Sequence, residues 1–465
     1  MNDLTTGSLT GHLLKTTSFM LVSMVFQTLY VLIDLYWVGR LGTDAVAAVG
    51  VSTNLMFLVL AATQMLGVGT TTLVAHATGQ RDQARASLIF NQAQGLSVAV
   101  GVLFLIVVLA IRVPYANALA ADAATARMAA DYLLWFVPAM ALQFGLIGMG
   151  AALRGTGNFK PGMVVQTATV ILNIVLAPVF IFGWLGAPAM GVVGAAVATL
   201  IAIVVGVVWM TTYFVSHKSF LRFVAAEWSP RPRLWVDMLK IGLPAGAEFA
   251  LIAVYLMLVY VVSRPFGAAA QAGFGIGQRV LQASFLPVVA LGFAVGPVAG
   301  QNFGARKADR VRATFTSAAS LATAVMLVLS TITWLAAAWF IRIFSSDPAV
   351  VAAGEEYLHV AAFNFVASGA IFVSSSMFQA MGNTVPALVT SVARMILISV
   401  PVLWLAGQPG FQMKWVWYIS VAAVFIQLAM NLLLLRREFR TRLAFAHGSD
   451  VAAQPAFVAV PSSEA

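Results

Sequence analysis

The chain has 465 residues, of which 61% are hydrophobic and only 9% charged, and its mean hydropathy is +0.93. A soluble domain carries about 25% charged residues, so a water-soluble globule is excluded. There is no cysteine, which excludes disulfides, thiolate metal sites and a cysteine nucleophile.

Apolar stretches of about 20 residues, each long enough to cross a hydrocarbon core of about 30 Å, recur along the whole chain. Twelve are read, centred near Gln27, Phe57, Leu103, Leu142, Val170, Val204, Val254, Pro287, Val328, Val366, Ile396 and Phe425. All should be helices, because hydrocarbon offers backbone groups no partner outside a helix or a closed barrel. The alternating segments of barrel strands do not occur. The fold class is therefore an all-α polytopic membrane protein of twelve transmembrane helices. The first apolar run begins near Thr16 and is followed by no small-residue cleavage site, so it reads as a span and not a removable signal.

The second half of the chain repeats the first at a constant offset, with no insertion between the matching points. Gly42 corresponds to Gly267, Gly50 to Gly275, Leu66-Gly67 to Leu291-Gly292, Gly79 to Gly304, Arg81 to Arg306 and Arg85 to Arg310. The run Gly157-Asn158-x-x-Pro161 returns as Gly382-Asn383-x-x-Pro386, where the proline suits a first helical turn. Six spans per half is an even number, so both halves enter the membrane in the same orientation, and their pseudo-two-fold axis lies along the membrane normal. Secondary transporters place their substrate path at such a repeat interface.

The boundaries follow. Residues 1–216 form an N-terminal lobe with spans 1 to 6, and residues 234–437 a C-terminal lobe with spans 7 to 12. Between them, 217–233 is a cytoplasmic linker carrying Ser229-Pro230-Arg231-Pro232-Arg233, whose composition suits a spacer between rigid bundles. The tail, 438–465, is Ala- and Ser-rich after Arg442 and is expected to be disordered.

The net charge of +10 would suit a nucleic-acid surface, but its placement argues for topology instead. Arg81, Arg85, Arg154, Lys160, Arg306, Arg310 and the cluster Arg436 to Arg442 all fall on the side of the N-terminus, and fewer basic residues, among them Arg40, Arg112 and Arg264, fall on the other. The positive-inside rule then sets both termini in the cytoplasm, with no nucleic-acid partner expected.

Within the spans the ionisable residues are Asp34, Glu248, Arg279 and Arg394. A charge at a helix centre costs roughly 2.5–3.5 kcal/mol on insertion scales, so such residues usually face the bundle interior and act there. Asp34 suits a carboxylate that alternately takes up and releases a proton or sodium; the competing reading is a structural ion pair with a buried arginine. Glu248 lies one turn after Pro244, a residue that frees backbone carbonyls and can bend a moving helix. It is a candidate second cation or substrate site, although Arg279 in the next span could simply pair with it. Arg279 and Arg394 read as counter-ions or cytoplasmic-side anchors rather than substrate ligands. His76 matches Gln301 in the repeat, which favours a polar helix-end role.

No phosphate-binding loop, His-Glu-x-x-His or Gly-x-Ser-x-Gly is present, so neither ATP hydrolysis nor acyl transfer is expected, and no cofactor. A channel is disfavoured because no span carries a repeated carbonyl or charge ring.

Several runs resemble one family over about Leu13 to Arg437. They are Asp34-Leu-Tyr-Trp-Val-Gly-Arg-Leu-Gly42, Leu73-Val-Ala-His-Ala-Thr-Gly79, Leu153-Arg-Gly-Thr-Gly157-Asn158 and Val298-Ala-Gly-Gln301-Asn-Phe-Gly304-Ala-Arg306. Together they resemble the multidrug and toxic-compound extrusion (MATE) transporters, closer to the DinF-type branch. The resemblance implies a monomer that exports organic, often aromatic cations against inward proton or sodium flow, by two lobes rocking about a central cavity. It also implies a coupling-ion site at Asp34, Asn173 and Thr199, and a second cation or substrate site around Glu248, Arg279 and Asn364. Three departures stand out: Ala177 replaces a second carboxylate, Glu248 sits one turn early, and span 10 offers only Asn364 and Ser368 where an aspartate is common. A sodium cage needs several oxygen ligands whereas a proton needs one carboxylate, which favours proton coupling. A lipid-linked or polysaccharide precursor flippase of the same superfamily is the alternative, but a polyanionic head group would demand more cationic residues in the spans.

Overall fold

A computed structural model describes residues 2–216 and 220–446. The first half comprises α1 (Leu9–Gly39), α2 (Thr43–Gly79), α3 (Gln83–Leu119), α4 (Ala123–Gly155), α5 (Phe159–Phe182) and α6 (Val192–Val215). The second comprises α7 (Pro232–Ser263), α8 (Ala268–Gly304), α9 (Ala308–Leu335), the short α10 (Ala337–Arg342), α11 (Pro348–Ala362), α12 (Asn364–Ala380), α13 (Val385–Ala406) and α14 (Met413–Arg442). Eleven of the described helices are long and apolar enough to cross a membrane. The remaining span, the tenth in chain order, is broken, because α11 and α12 meet at 53° around Phe363. Proline does not cause this break: the counterpart of Phe363 in the first half is Pro138, inside the continuous α4. Of the expected linker and tail, residues 217–219 and 447–465 lie outside the described residues.

The repeat is a repeat of backbone geometry. Helices α2 and α8 begin and end at equivalent positions of the two halves, and α3 and α9 begin at equivalent positions. The turns that follow α2 and α8 each put an arginine in the left-handed region, Arg81 at φ 59° and Arg306 at φ 55°. In both, the following residue donates back into the helix, Asp82 to the Ala77 carbonyl and Lys307 to that of Asn302, which closes a Schellman motif. The Gly-Asn turns match as well, with Gly157 at φ 74° and Gly382 at φ 75°. Asn158 donates to the Tyr213 hydroxyl at 3.0 Å and Asn383 to Glu438 Oε1 at 3.0 Å, and Tyr213 and Glu438 are themselves repeat equivalents.

Packing follows the repeat. In the first half α2, α3 and α6 pack on α4, and α5 on α6. In the second, α8, α9 and α14 pack on α12, and α13 on α14. Each half has its own buried aromatic core, with Phe90, Phe136, Phe144 and Phe214 in one and Phe365 and Phe378 in the other. The halves join through α1 against α8 and α7 against α2. Gly69 and Gly242 let the second crossing close to backbone contact: a Cβ on Gly242 would fall on the Met65 carbonyl, and one on Gly69 on that of Met238.

On the face where the N-terminus lies, the halves also meet directly. A Cβ on Gly79 would fall on the Gln301 carbonyl, and one on Gly304 on the His76 carbonyl. His76 Nε2 lies 2.6 Å from the Ala380 carbonyl, and Gln301 Nε2 donates to the Gly155 carbonyl at 3.0 Å, again a pair of equivalent contacts. Both side chains thus tie one half to the other from helix ends. The segment before α1 crosses this junction as a strap. The Asn2 N–H donates to the Thr156 carbonyl and the Leu4 N–H to Gln301 Oε1, while Lys307 Nζ donates to the Thr5 carbonyl. Asp3 pairs with Arg81 at 3.6 Å. The Thr5 hydroxyl donates to Asp3 and holds its carboxyl below the usual carboxylate range, against the opposing effect of burial.

The described part of the linker is docked and not free. Asn91 and Gln92 of α3 donate to the carbonyls of Arg222 and Ser229, and Gln92 Oε1 accepts from the Arg231 N–H at 2.8 Å.

Candidate functional site

The first candidate site lies in the N-terminal half, toward the face opposite the strap. Asp34 is five residues from the end of α1, Asn173 nine from the end of α5 and Thr199 seven into α6. Asn173 Nδ2 donates to Thr199 Oγ1 at 2.9 Å, and Thr199 Oγ1 donates to the Ala195 carbonyl at 3.0 Å. The Tyr30 hydroxyl, one turn before Asp34, lies 3.3 Å from the same Thr199 oxygen. Three helices are therefore pinned by one hydroxyl. Two oxygens are left over: Asp34 Oδ1 and Asn173 Oδ1 are buried without a hydrogen-bond partner. A buried acceptor without a partner costs about 1–3 kcal/mol, more for a charged group, so these atoms favour a cation or a proton beside them. No ion pair to Asp34 occurs among the described residues, which removes the structural arginine pair weighed from sequence. Tyr30 and Tyr132 lie within electrostatic reach of Asp34 and were not anticipated; Tyr30 was legible as the residue one helical turn earlier on the same face. Ala177 is fully buried where a second carboxylate would stand.

The C-terminal half fills the equivalent space with apolar side chains. Val259, Ile398 and Val424 occupy the repeat positions of Asp34, Asn173 and Thr199, and all three are buried. Its polar groups sit elsewhere. Glu248 Oε1 accepts from the Ser391 hydroxyl at 3.1 Å, and Gln427 Nε2 donates to that hydroxyl at 3.1 Å. These residues and Arg394 line a cavity of about 110 Å³. Arg394 also lines a second cavity, of about 240 Å³, with Tyr255, Asn364, Trp417 and Ser420. Asn364 follows the break at Phe363, and its Oδ1 is buried and unpartnered. Arg279 is exposed on α8 and lines neither cavity, so the structure gathers Glu248 and Asn364 around Arg394, not around Arg279. Among the described residues no cluster of three His, Cys, Asp or Glu side chains is placed to hold a metal ion.

Two six-span halves in parallel repeat, joined along α1, α2, α7 and α8 and each holding buried polar groups in its spans, define a two-lobed secondary transporter. The MatE family model matches residues 20–179 and 244–405, one stretch in each half, and the chain belongs to that family. The chain is 29% identical over 423 residues to the probable multidrug resistance protein YpnP of Bacillus subtilis (strain 168), covering 88% of this chain and 92% of the relative. It is 24% identical over 410 residues to the multidrug export protein MepA of Staphylococcus haemolyticus, covering 87% and 88%. Among solved structures, a MOP superfamily transporter from Pyrococcus furiosus superposes with a TM-score of 0.86 at 23% identity, covering 94% of this chain and 98% of that one. A MATE structure in a bent conformation superposes with a TM-score of 0.89 at 23% identity, covering 96% and 98%. These likenesses establish the two-lobed fold.

Proposed function

We propose that the chain is a multidrug antiporter that exports organic, often aromatic cations in exchange for inward protons. The observation that carries this reading is the pair of unpartnered oxygens on Asp34 and Asn173 beside the Tyr30–Thr199–Asn173 network. A carboxylate free of ion pairs can be neutralised by a proton or by a cationic drug but not comfortably by both, and that competition is what exchange requires. The relatives' names supply the substrate class. The proton is favoured over sodium because the site has one carboxylate, with Ala177 in place of a second. Both termini are assigned to the cytoplasm, the active unit to a monomer in the bacterial inner membrane, and the chain, despite its departures at Ala177, Glu248 and span 10, to the DinF-type branch.

The test is ethidium efflux from proteoliposomes under separately imposed proton and sodium gradients. Efflux driven by the proton gradient alone is expected. Efflux under sodium alone would reassign the coupling ion, and none under either gradient from correctly inserted protein would shift the reading to the lipid-precursor flippase.

Asn173→Ala and Thr199→Val each remove one member of the network and leave the carboxylate. Removing one partner so that a buried polar group is left unsatisfied costs about 1–3 kcal/mol. Each is therefore expected to move the half-saturating proton concentration for efflux about tenfold while maximal efflux persists. An unchanged pH profile in both variants would detach Asn173 and Thr199 from the site.

A further inference from the structure

Arg394 is the basic side chain of the second site, and the exchange of a proton for a cation at Asp34 does not use it. It stands ten residues into α13 (Val385–Ala406), about 14 Å from one end of the helix and about 18 Å from the other at about 1.5 Å per residue. A lipid phosphate at either interface is out of reach of its side chain. Among the described residues no carboxylate lies within ion-pairing distance of it and no hydrogen bond to its guanidinium is found. Glu248 acts on it through space only, being engaged with Ser391 one turn earlier on the same helix. A cationic group held at membrane depth without a partner is costly, and it persists where a ligand supplies the counter-charge.

The surroundings define that ligand. Arg394 stands where the two cavities of about 240 and about 110 Å³ meet. One is walled by Tyr255, Tyr357 and Trp417, with the unpartnered Asn364 Oδ1 as an acceptor. The other ends on Glu248. An acceptor carboxylate and a donor fork separated along one cleft are complementary to a molecule bearing both charges, and the aromatic wall to a flat body between them. The N-terminal half lacks this arrangement, since Ser23 and Thr169 hold the positions equivalent to Glu248 and Arg394.

We propose that Arg394 is a specificity-determining residue that receives the acidic group of an amphoteric aromatic substrate, whose basic group faces Glu248. This rests on the reading of the chain as a drug exporter and adds the substrate's acid as a recognised feature.

A matched pair of dyes tests it: rhodamine 123, a methyl ester, and rhodamine 110, its free acid. Binding to the purified full chain is followed by fluorescence anisotropy, and export by efflux from proteoliposomes. The wild type is expected to bind the acid at least as tightly as the ester. Arg394→Gln should weaken the acid at least about tenfold and the ester less than about twofold, while Arg394→Lys, which keeps the charge but not the fork, should recover part of the loss. Glu248→Gln should weaken both dyes, since both carry the basic end. Failure of the wild type to bind the acid, or an equal loss of both dyes in Arg394→Gln with no recovery in Arg394→Lys, overturns the assignment. The expected binding pattern without efflux of either dye under any ion gradient would instead overturn the exporter reading and leave the site in place.

Discussion

Asp34→Asn is expected to lower gradient-driven ethidium efflux at least about a hundredfold, to the level of empty liposomes, a change equivalent to about 2.7 kcal/mol. The substitution keeps the shape of the side chain and removes its charge. Asparagine can accept a hydrogen bond but cannot be neutralised by a proton, so the step at which proton and drug exclude one another is lost. The same variant discriminates between the two roles an intramembrane carboxylate can play. Removing one member of a buried ion pair strands its partner and costs about 3–5 kcal/mol of stability. Asp34 has no such partner among the described residues, and its Oδ1 makes no hydrogen bond. Asp34→Asn should therefore not show the loss of about 3–5 kcal/mol in thermal stability that breaking a buried ion pair brings. Efflux retained by well-inserted Asp34→Asn would remove this residue from the coupling step, whereas lost efflux with a large loss of stability would return it to a structural role.

What the sequence discloses and what it conceals divide along a physical line. Periodicity, span length and the constant offset of the repeat depend on composition along the chain, and the helices and the matching turns at Arg81 and Arg306 follow them closely. Asn173 and Thr199, on neighbouring spans, meet through a hydrogen bond. Span position, however, gives depth in the membrane and not the direction in which a side chain points. Arg279 and Arg394 look alike in the sequence, yet one is exposed and the other lines both cavities. The break of the tenth span also escapes, because the usual breaker sits in the wrong half: Pro138 lies in the unbroken α4, and Phe363 occupies the break. The strap of residues 2–7 precedes the first apolar run and is polar, so nothing local marks it as structured. Its order comes from Gln301, Asn302 and Lys307, in the other half of the chain.

The other large effect belongs to the junction beneath that strap. Alternating access requires the two halves to part and close on this face, and closure here is limited by two absent side chains. With a Cβ at Gly304 aimed at the His76 carbonyl, and one at Gly79 aimed at that of Gln301, Gly304→Val or Gly79→Val cannot coexist with the junction as it stands. Backbone on the opposing helix cannot turn aside as a flexible side chain can, so the halves must separate. Each variant is expected to fold, because the aromatic cores within the lobes are untouched, but to lose efflux to background. The chain has no cysteine, so a single Ala75→Cys reports the junction cleanly: Ala75 is fully buried there, opposite Gly300. Its reaction with a membrane-impermeant maleimide from the face of the N-terminus should be slow in the otherwise wild-type chain and at least about tenfold faster with Gly304→Val, the opened state then being favoured by about 1.4 kcal/mol or more. Gly296→Val is the control, since a Cβ at that position of the same helix meets nothing within 4 Å. Deleting residues 2–7 removes the strap but no steric limit, and should raise labelling less than Gly304→Val does while efflux continues. Wild-type efflux by Gly304→Val, with Ala75→Cys still protected, would show that the lobes do not part at this junction during transport.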